Sequence, residues 1–230
     1  MEVVILSAGI GSRLGNPFPK PLTPLQDGER ILDKQVAAYS SAFGKVSITL
    51  VVGFKKNLIM ESFPDLKFVY NSLYDQTNTS KSLLTALSKV TDEGVLWSNG
   101  DVVFDPKLLE ILQSYIDKDI SFVSVNTSKV SDEEVKYTLE SGYINELSKE
   151  VKNGLGEAVG INYISSKDLA IFKKYLDACD AQDYFEKAIE LSIQNENIKV
   201  EAVDISQFNC IEIDFQEDLD FANETFFSKA

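Results

Sequence analysis

Short apolar segments alternate with helical patterns along the chain, and this alternation is the strongest constraint on its fold. Residues 3–6, 46–52 and 94–98 are apolar runs typical of strands buried on both faces of a parallel sheet. Helical patterns follow at residues 31–42 and 80–90. The alternation predicts an α/β fold with a mostly parallel sheet. Further predicted strands are 68–70, 120–126, 158–164, 200–204 and 210–213. A predicted hairpin at 135–139 and 143–147 indicates that the sheet is mixed. Further predicted helices are 105–117, 166–176, 183–194 and one from Asp214 onward.

The composition excludes several kinds of chemistry. No histidine is present, so any reaction must use carboxylates, lysines, arginines, hydroxyls or a metal held by oxygen. The net charge of −14 argues against binding to a nucleic-acid backbone, which requires a basic face. No apolar run reaches the roughly 18 residues of a membrane span. Only two cysteines are present, which indicates neither a disulfide framework nor a cysteine-rich metal site and fits a reducing cytoplasm.

A glycine-rich loop follows the first predicted strand. Residues 7–13 read SAGIGSR, and Lys20 lies between two prolines a few positions later. Glycines after a buried strand allow the backbone to approach a ligand closely, and successive backbone N–H groups form an anion-binding concavity. Arg13 and Lys20 supply a planar fork and a point charge for phosphate. The loop matches neither the dinucleotide fingerprint nor the Walker pattern. The alternative is a simple glycine turn with a solvated arginine and lysine.

Two aspartates stand at predicted strand ends. Asp101 follows the strand at residues 94–98, where ligands bind in open α/β sheets, and its carboxylate suits Mg²⁺. Asp214 follows the strand at residues 210–213, in which Glu212 lies on the same side as Asp214. A turn residue is the alternative for Asp101, and a helix cap for Asp214. The motif residues assigned to structural or solvated positions are Asp105, Glu212, Glu217 and Asp218.

Two further segments carry polar groups near predicted elements. Residues 70–83 form a loop rich in hydroxyls and amides that could bind a base and ribose, although Asn78 or Ser80 could simply cap the next helix. The hairpin carries Lys136 and Lys149, and Glu157 follows it. The alternative for these lysines is solvation on the hairpin surface.

The glycine loop and the Pro-Lys-Pro segment together resemble a known signature. Residues 7–15, SAGIGSRLG, and 17–25, PFPKPLTPL, are similar to the N-terminus of the nucleotidyltransferase family that activates sugar-1-phosphates and phosphocholine-like acceptors. Residues 70–83 resemble the phosphocholine-type cytidylyltransferase branch, which favours CTP. The resemblance implies a single-domain Rossmann-like (GT-A-like) fold over residues 1–230, with helices on both faces of the sheet. Residues 1–125 would be the nucleotide-binding half, and residues 126–230 the half that binds the acceptor and closes the metal site.

The same resemblance implies roles for individual residues. The expected catalytic groups are Arg13, Lys20 and Lys149, and the expected Mg²⁺ ligands are Asp101 and Asp214. The acceptor would contact Lys136, Lys149 and Glu157. The expected nucleotide-binding residues are Ser7, Ala8, Gly9, Gly11, Ser12, Asn78, Ser82 and Gly100.

The predicted activity is transfer of CMP from CTP to a phosphorylated or phosphonate small molecule, with release of pyrophosphate. The acceptor oxygen is already ionised, so no general base is required, in keeping with the absence of histidine. The alternatives are a sugar-1-phosphate nucleotidyltransferase that uses UTP, dTTP or GTP, and a non-catalytic nucleotide-binding regulatory domain. The expected partners are an NTP and the phosphorylated acceptor, and the chain could form an oligomer.

Overall fold

The N-terminal apolar run forms β1 (Glu2–Ser7), a fully buried strand in the interior of the main sheet. The computed structural model describes residues 1–128, 130–131 and 133–227. The elements that follow β1 are α1 (Ile31–Phe43), β2 (Ser47–Val52), α2 (Lys56–Ser62), β3 (Lys67–Tyr70), α3 (Thr79–Leu87), β4 (Val95–Asn99), β5 (Val102–Phe104), α4 (Leu108–Ile116), β6 (Phe122–Asn126), β7 (Lys136–Glu140), β8 (Tyr143–Ser148), β9 (Glu157–Ile164), α5 (Leu169–Ala178), α6 (Phe185–Glu196), β10 (Glu201–Asp204), β11 (Cys210–Glu212) and α7 (Gln216–Phe227).

The main sheet is mixed, as the strand pattern and the hairpin predict. Its order is β10-β6-β9-β4-β1-β2-β3, and the β7–β8 hairpin joins it through β9. The pairs among β4, β1, β2 and β3 are parallel, as is the β10–β6 pair. Strand β9 runs antiparallel to both β4 and β6. The sheet therefore contains strands from both halves of the chain.

Helices cover both faces of this sheet. Along β1, Val4 and Leu6 pack on one face with residues of α3, α5 and α6, whereas Val3 and Ile5 pack on the other with residues of α1 and α4. Successive side chains of a strand point to opposite faces, so a continuous apolar run is required where both faces are covered. The predicted α/β fold with a mostly parallel mixed sheet is confirmed.

A second, two-stranded sheet pairs β5 with β11 in antiparallel orientation. Val102 opposite Glu212 is the last pair of the ladder, and the Ile213 N–H donates to the Asp101 carbonyl at 3.0 Å. Because the strands are antiparallel, the residue before β5 and the residues after β11 lie at the same end. This short ladder brings Asp101 close to Asp214.

Some local expectations differ from the structure. The helix expected from Asp105 begins instead at Leu108. Asp105 Oδ1 accepts from the Lys107 N–H at 3.0 Å, so this aspartate organises the turn that precedes the helix. Helix α2 and strand β5 were not expected, because the helix has only seven residues and the strand only three. Within the described residues, no helix combines the length and the apolarity that crossing a membrane requires.

Candidate active site

The glycine loop and the Asn99–Asp101 segment lie side by side at the carboxyl ends of two parallel strands. The Gly100 N–H donates to the Leu6 carbonyl at 2.9 Å. A Cβ atom on Gly100 would lie 2.7 Å from the Leu6 carbonyl oxygen and from Ser7 Oγ. A side chain at position 100 would therefore separate the two strand ends. The structure therefore explains Gly100 by the close approach of the two strand ends, which a side chain would prevent.

Gly11 and Lys20 are also in close contact. Gly11 has φ +64°, and a Cβ there would lie 2.9 Å from Lys20 Cβ. This left-handed conformation favours glycine. Gly11 therefore allows the loop to turn over the Lys20 side chain. Residues 12–14 then form a short 3₁₀ turn that carries Arg13.

Lys20 connects the two predicted metal ligands. Its ammonium donates to Asp101 Oδ2 at 2.8 Å and to Asp214 Oδ1 at 2.6 Å. Arg13 Nη1 donates to Asp214 Oδ2 at 2.7 Å. Burial disfavours the Lys20 ammonium, but the two aspartates outweigh this effect and raise the pKa of Lys20 above its usual value. For Asp214 the bonds from Lys20 and Arg13 outweigh burial, so its pKa is lowered.

The same place contains a third carboxylate, that of Glu212. Asp101, Glu212 and Asp214 each offer an oxygen atom, and the three oxygens lie within 4.8 Å of one another. Desolvation by the surrounding groups and the like charges of Asp101 and Asp214 raise the pKa of Glu212 above its ordinary value, although the residue remains exposed at the surface. Asp101 Oδ1 is buried without a hydrogen-bond partner among the described residues. An oxygen-only cluster with an unpartnered carboxylate oxygen fits a hard divalent cation such as Mg²⁺.

These contacts decide whether Asp214 is a helix cap, and they locate Glu212. Asp214 does not cap α7. Instead Asp218 Oδ2 accepts from the backbone N–H groups of Asp214 and Phe215 at 3.0 and 2.7 Å. Glu212 is exposed, in keeping with the expectation of a structural or solvated residue, but its carboxylate also lies in the cluster with Asp101 and Asp214. The alternation that puts Glu212 on the same side as Asp214 was a signal that could have identified it.

The polar loop before α3 is held mainly by its own contacts. Asn78 Oδ1 caps α3 by accepting from the Thr79 N–H at 2.8 Å, and its Nδ2 donates to the Gln182 carbonyl at 3.2 Å. Ser82 Oγ accepts from Asn71 Nδ2 at 3.0 Å. Asn78 and Ser82 line the cleft while performing these structural roles.

The predicted acceptor residues separate into two groups. Lys149 lines the cleft, with Nζ 5.0 Å from the centroid of the Tyr184 ring. Lys136 is buried at the start of β7 and lies opposite Glu157 in the β7–β9 pair. Glu157 Oε1 accepts from the Ser131 N–H. Lys136 and Glu157 are thus at the base of the hairpin, and among the described residues they are not part of the cleft lining.

Two glutamates beside Lys149 were not expected from the sequence. Glu134 and Glu186 both line the cleft. Glu186 is 8% exposed and belongs to the first turn of α6. Burial, and to a lesser extent Glu134, raises the pKa of Glu186 to about 7, and the opposing effects of its own backbone N–H and of Lys149 do not offset this. Single-sequence reasoning offers no signal for Glu186, because its burial depends on packing of the completed fold.

One cleft thus brings together most of the predicted site residues. It runs from the glycine loop to the first turn of α6. Arg13 and Asp214 lie beside it through their bonds to each other and to Lys20. Gly100 and Ser12 lie in the segments that border the cleft. Among the predicted residues, the lining includes Ser7, Ala8, Gly9, Gly11, Lys20, Asn78, Ser82, Asp101 and Lys149.

The fold and the site define a nucleotide-binding class of α/β domain, with cations and carboxylates at the carboxyl ends of adjacent strands. The chain belongs to the MobA-like NTP transferase family, whose domain profile matches residues 3–155. It is 32% identical over 173 residues to the bifunctional protein GlmU of Methanococcus maripaludis, covering 72% of this chain and 39% of that protein. The chain thus spans well under half the length of this relative. The resemblance to nucleotidyltransferases is confirmed.

A second relative and two solved structures complete the comparison. The chain is 36% identical over 121 residues to CMP-5'-(3-aminopropyl)phosphonate synthase of Streptomyces rubellomurinus, covering 49% of this chain and 19% of that protein. The CTP:phosphocholine cytidylyltransferase of Streptococcus pneumoniae matches with a TM-score of 0.75 at 15% identity, covering 97% of this chain and 98% of that one. A putative glucose-1-phosphate thymidylyltransferase of Bacillus anthracis gives 0.80 at 15% identity, covering 100% and 96%. These structures share the Rossmann-like nucleotidyltransferase fold.

Proposed function

We propose that this chain transfers CMP from CTP to a phosphorylated or phosphonate small molecule and releases pyrophosphate, with Mg²⁺ as cofactor. The observation that carries the proposal is the convergence of Lys20 and Arg13 with Asp101 and Asp214 beside the glycine loop. The preference for CTP is supported by the Streptomyces relative, whose name describes a CMP-phosphonate product. We also propose that the chain acts in the cytoplasm as one domain, with the two halves predicted above.

The nucleotide would bind with its phosphates against the glycine loop. The backbone N–H groups of residues 9–12 would contact phosphate oxygens, and Lys20 and Arg13 would balance the charge of the departing pyrophosphate. Both cations already lie at the carboxylate cluster, so the triphosphate would approach a site where charges of both signs are prearranged. Asp101 and Asp214, with Glu212 beside them, would hold Mg²⁺, which supplies charge neutralisation at phosphate oxygens.

The reaction is an in-line displacement at the α-phosphorus. An ionised oxygen of the acceptor forms the new bond to the α-phosphorus, and the bond from that phosphorus to the bridging oxygen of the β-phosphate breaks. The electron pair leaves with pyrophosphate, so no proton has to be removed from the nucleophile. Lys149 would hold the acceptor anion against the repulsion of the triphosphate, and catalysis would rest on positioning and charge stabilisation.

Two other functions use the same cleft. A sugar-1-phosphate nucleotidyltransferase would prefer UTP, dTTP or GTP with a sugar phosphate. A non-catalytic regulatory domain would bind an NTP tightly and release no pyrophosphate with any acceptor. Pyrophosphate release measured for four NTPs against phosphocholine, aminoalkylphosphonates and sugar-1-phosphates separates the three. We expect the highest rate with CTP and a non-sugar acceptor.

Two substitutions test the assigned groups directly. Asp101→Asn and Lys20→Ala should each lower kcat by roughly 100-fold or more while the circular dichroism spectrum is unchanged. Matched controls are Asp65→Asn and Lys107→Ala, which change the same residue types at exposed positions that are not part of the cleft lining. Near-normal Mg²⁺-dependent turnover by Asp101→Asn would contradict the metal assignment.

A further inference from the structure

At the first turn of α6, the cleft contains a buried carboxylate that forms no ion pair with any described residue. Glu186 is 8% exposed and lines the cleft. Among the described residues, no other side chain forms a hydrogen bond or an ion pair with it. Its carboxylate accepts only from its own backbone N–H, and Lys149 attracts it without direct contact. An unpaired buried carboxylate is unfavourable in a folded protein.

Glu190, one turn further along α6, shows how the same helix treats a buried glutamate that has only a structural role. Glu190 is 6% exposed, accepts from Lys187 Nζ at 2.8 Å and accepts from the Leu147 N–H at 3.3 Å. Among the described residues, Glu186 has no bonded lysine and no N–H donor from another element, only its own backbone N–H. The first helical turn stabilises a carboxylate, but it would do so equally for an exposed one, without the penalty of burial. The position of Glu186 is therefore better explained by a ligand.

The groups around Glu186 indicate the charge of that ligand. Tyr184, 42% exposed, lines the cleft, and the Lys149 ammonium lies 5.0 Å from its ring centroid. A cation thus already occupies the ring face in a favourable geometry. Glu134 adds a second carboxylate to the same part of the cleft. Two carboxylates and an aromatic face suit an organic cation, whereas the single lysine suits an anion.

We propose that the acceptor is a zwitterion whose amine or quaternary ammonium group replaces the Lys149 ammonium at the Tyr184 ring and binds Glu186 and Glu134, while its phosphate or phosphonate binds Lys149. This inference rests on the proposed function, because it names the class of acceptor for the same cleft. A sugar phosphate without an amino group has no positive charge to place against Glu186 and would leave that carboxylate buried and unpaired. Glu186 would therefore select the acceptor as well as bind it.

Pairs of acceptors that differ only in charge test the proposal. The first pair is 2-aminoethylphosphonate and propylphosphonate, and the second is phosphocholine and 3,3-dimethylbutyl phosphate. With the whole chain and CTP, one or both charged acceptors should exceed the neutral analogue in kcat/KM by roughly 100-fold, as expected for pairing a buried charge. The pair that shows the preference distinguishes a primary amine from a quaternary ammonium group. Equal kcat/KM within both pairs, or a preference for sugar phosphates, would overturn the proposal.

Variants identify the residues responsible. Glu186→Gln should reduce the preference to a few-fold while CTP affinity, measured by calorimetry, stays unchanged. Tyr184→Leu should weaken the preference for the quaternary ammonium and provides a second test if Glu186→Gln fails to fold. The matched control is Glu196→Gln, which removes a negative charge from the exposed end of the same helix. Retention of the full preference by both cleft variants would overturn the assignment.

Failure of the proposed function can be separated from failure of this inference. If no NTP and acceptor pair releases pyrophosphate, the proposed function is wrong. Calorimetric titration of the chain with phosphocholine and 2-aminoethylphosphonate then tests, without any turnover, whether the cleft binds an organic cation. Binding that exceeds that of the neutral analogues and is lost in Glu186→Gln supports it, and equal binding of charged and neutral probes refutes it.

Discussion

The buried carboxylate of Glu186 should make the folded chain less stable at alkaline pH. Its pKa of about 7 in the folded protein lies above the ordinary value of 4.5, so folding disfavours its ionised form. The penalty is absent below pH 4.5, grows as pH rises towards 7, and is complete above that. A difference of this size corresponds to roughly 3 kcal/mol of unfolding free energy. Glu186→Gln removes the charge and keeps the shape and the acceptor oxygen.

We therefore expect Glu186→Gln to raise the free energy of unfolding by about 3 kcal/mol at pH 8.5 and by at most about 1 kcal/mol at pH 5. Lys149 and Glu134 are the charged groups that act on Glu186, and neither is changed by the substitution. Urea denaturation followed by circular dichroism at the two pH values measures this difference.

Glu196→Gln is the control, because the pKa of Glu196 is shifted in the opposite direction from that of Glu186. Glu196 is bonded to Lys174 at 2.6 Å, and that bond lowers its pKa. Its contribution to stability is present above pH 4.5 and lost as pH falls, so the substitution should give no gain at pH 8.5. A stability gain for Glu186→Gln that does not increase between pH 5 and 8.5 would refute the reasoning. The stabilised variant should also lose its preference for cationic acceptors, as expected if Glu186 is kept for binding at the expense of stability.

The remaining predictions concern the loop and the carboxylate cluster. Gly11→Ala should lower the free energy of unfolding by about 1 kcal/mol or more, because it strains a left-handed residue and displaces Lys20. Gly9→Ala meets no atom within 4 Å and should leave denaturant stability unchanged, so equal effects of the two would count against the loop geometry. Nucleotide-free Lys20→Gln should bind Mn²⁺ about tenfold more tightly in an electron paramagnetic resonance titration, because the ammonium no longer occupies Asp101 and Asp214. Unchanged Mn²⁺ affinity would show that Lys20 does not compete for these carboxylates.

The pattern of apolar and polar residues predicted those elements of the fold that depend on neighbouring residues in the sequence. The apolar run of β1 required burial on both faces, and the alternation around Glu212 placed its side chain opposite Ile211. Helix α2 escaped prediction because it is short and because Lys55, the residue before it, is left-handed and provides no side-chain cap. Strand β5 escaped because its three residues are a strand only through pairing with β11.

The sequence alone indicated which residues carry charge for phosphate and metal, because residue type and local motif determine that chemistry. It did not determine their contacts. Lys20 is 81 residues from Asp101 and 194 from Asp214, and only the packing of β5 against β11 beside the glycine loop brings the three together. Glu186 is the clearest case. Its residue type is visible in the sequence. Its burial, and the lack of an ion pair with any described residue, arise only when α6 packs against the cleft, since burial depends on the whole fold.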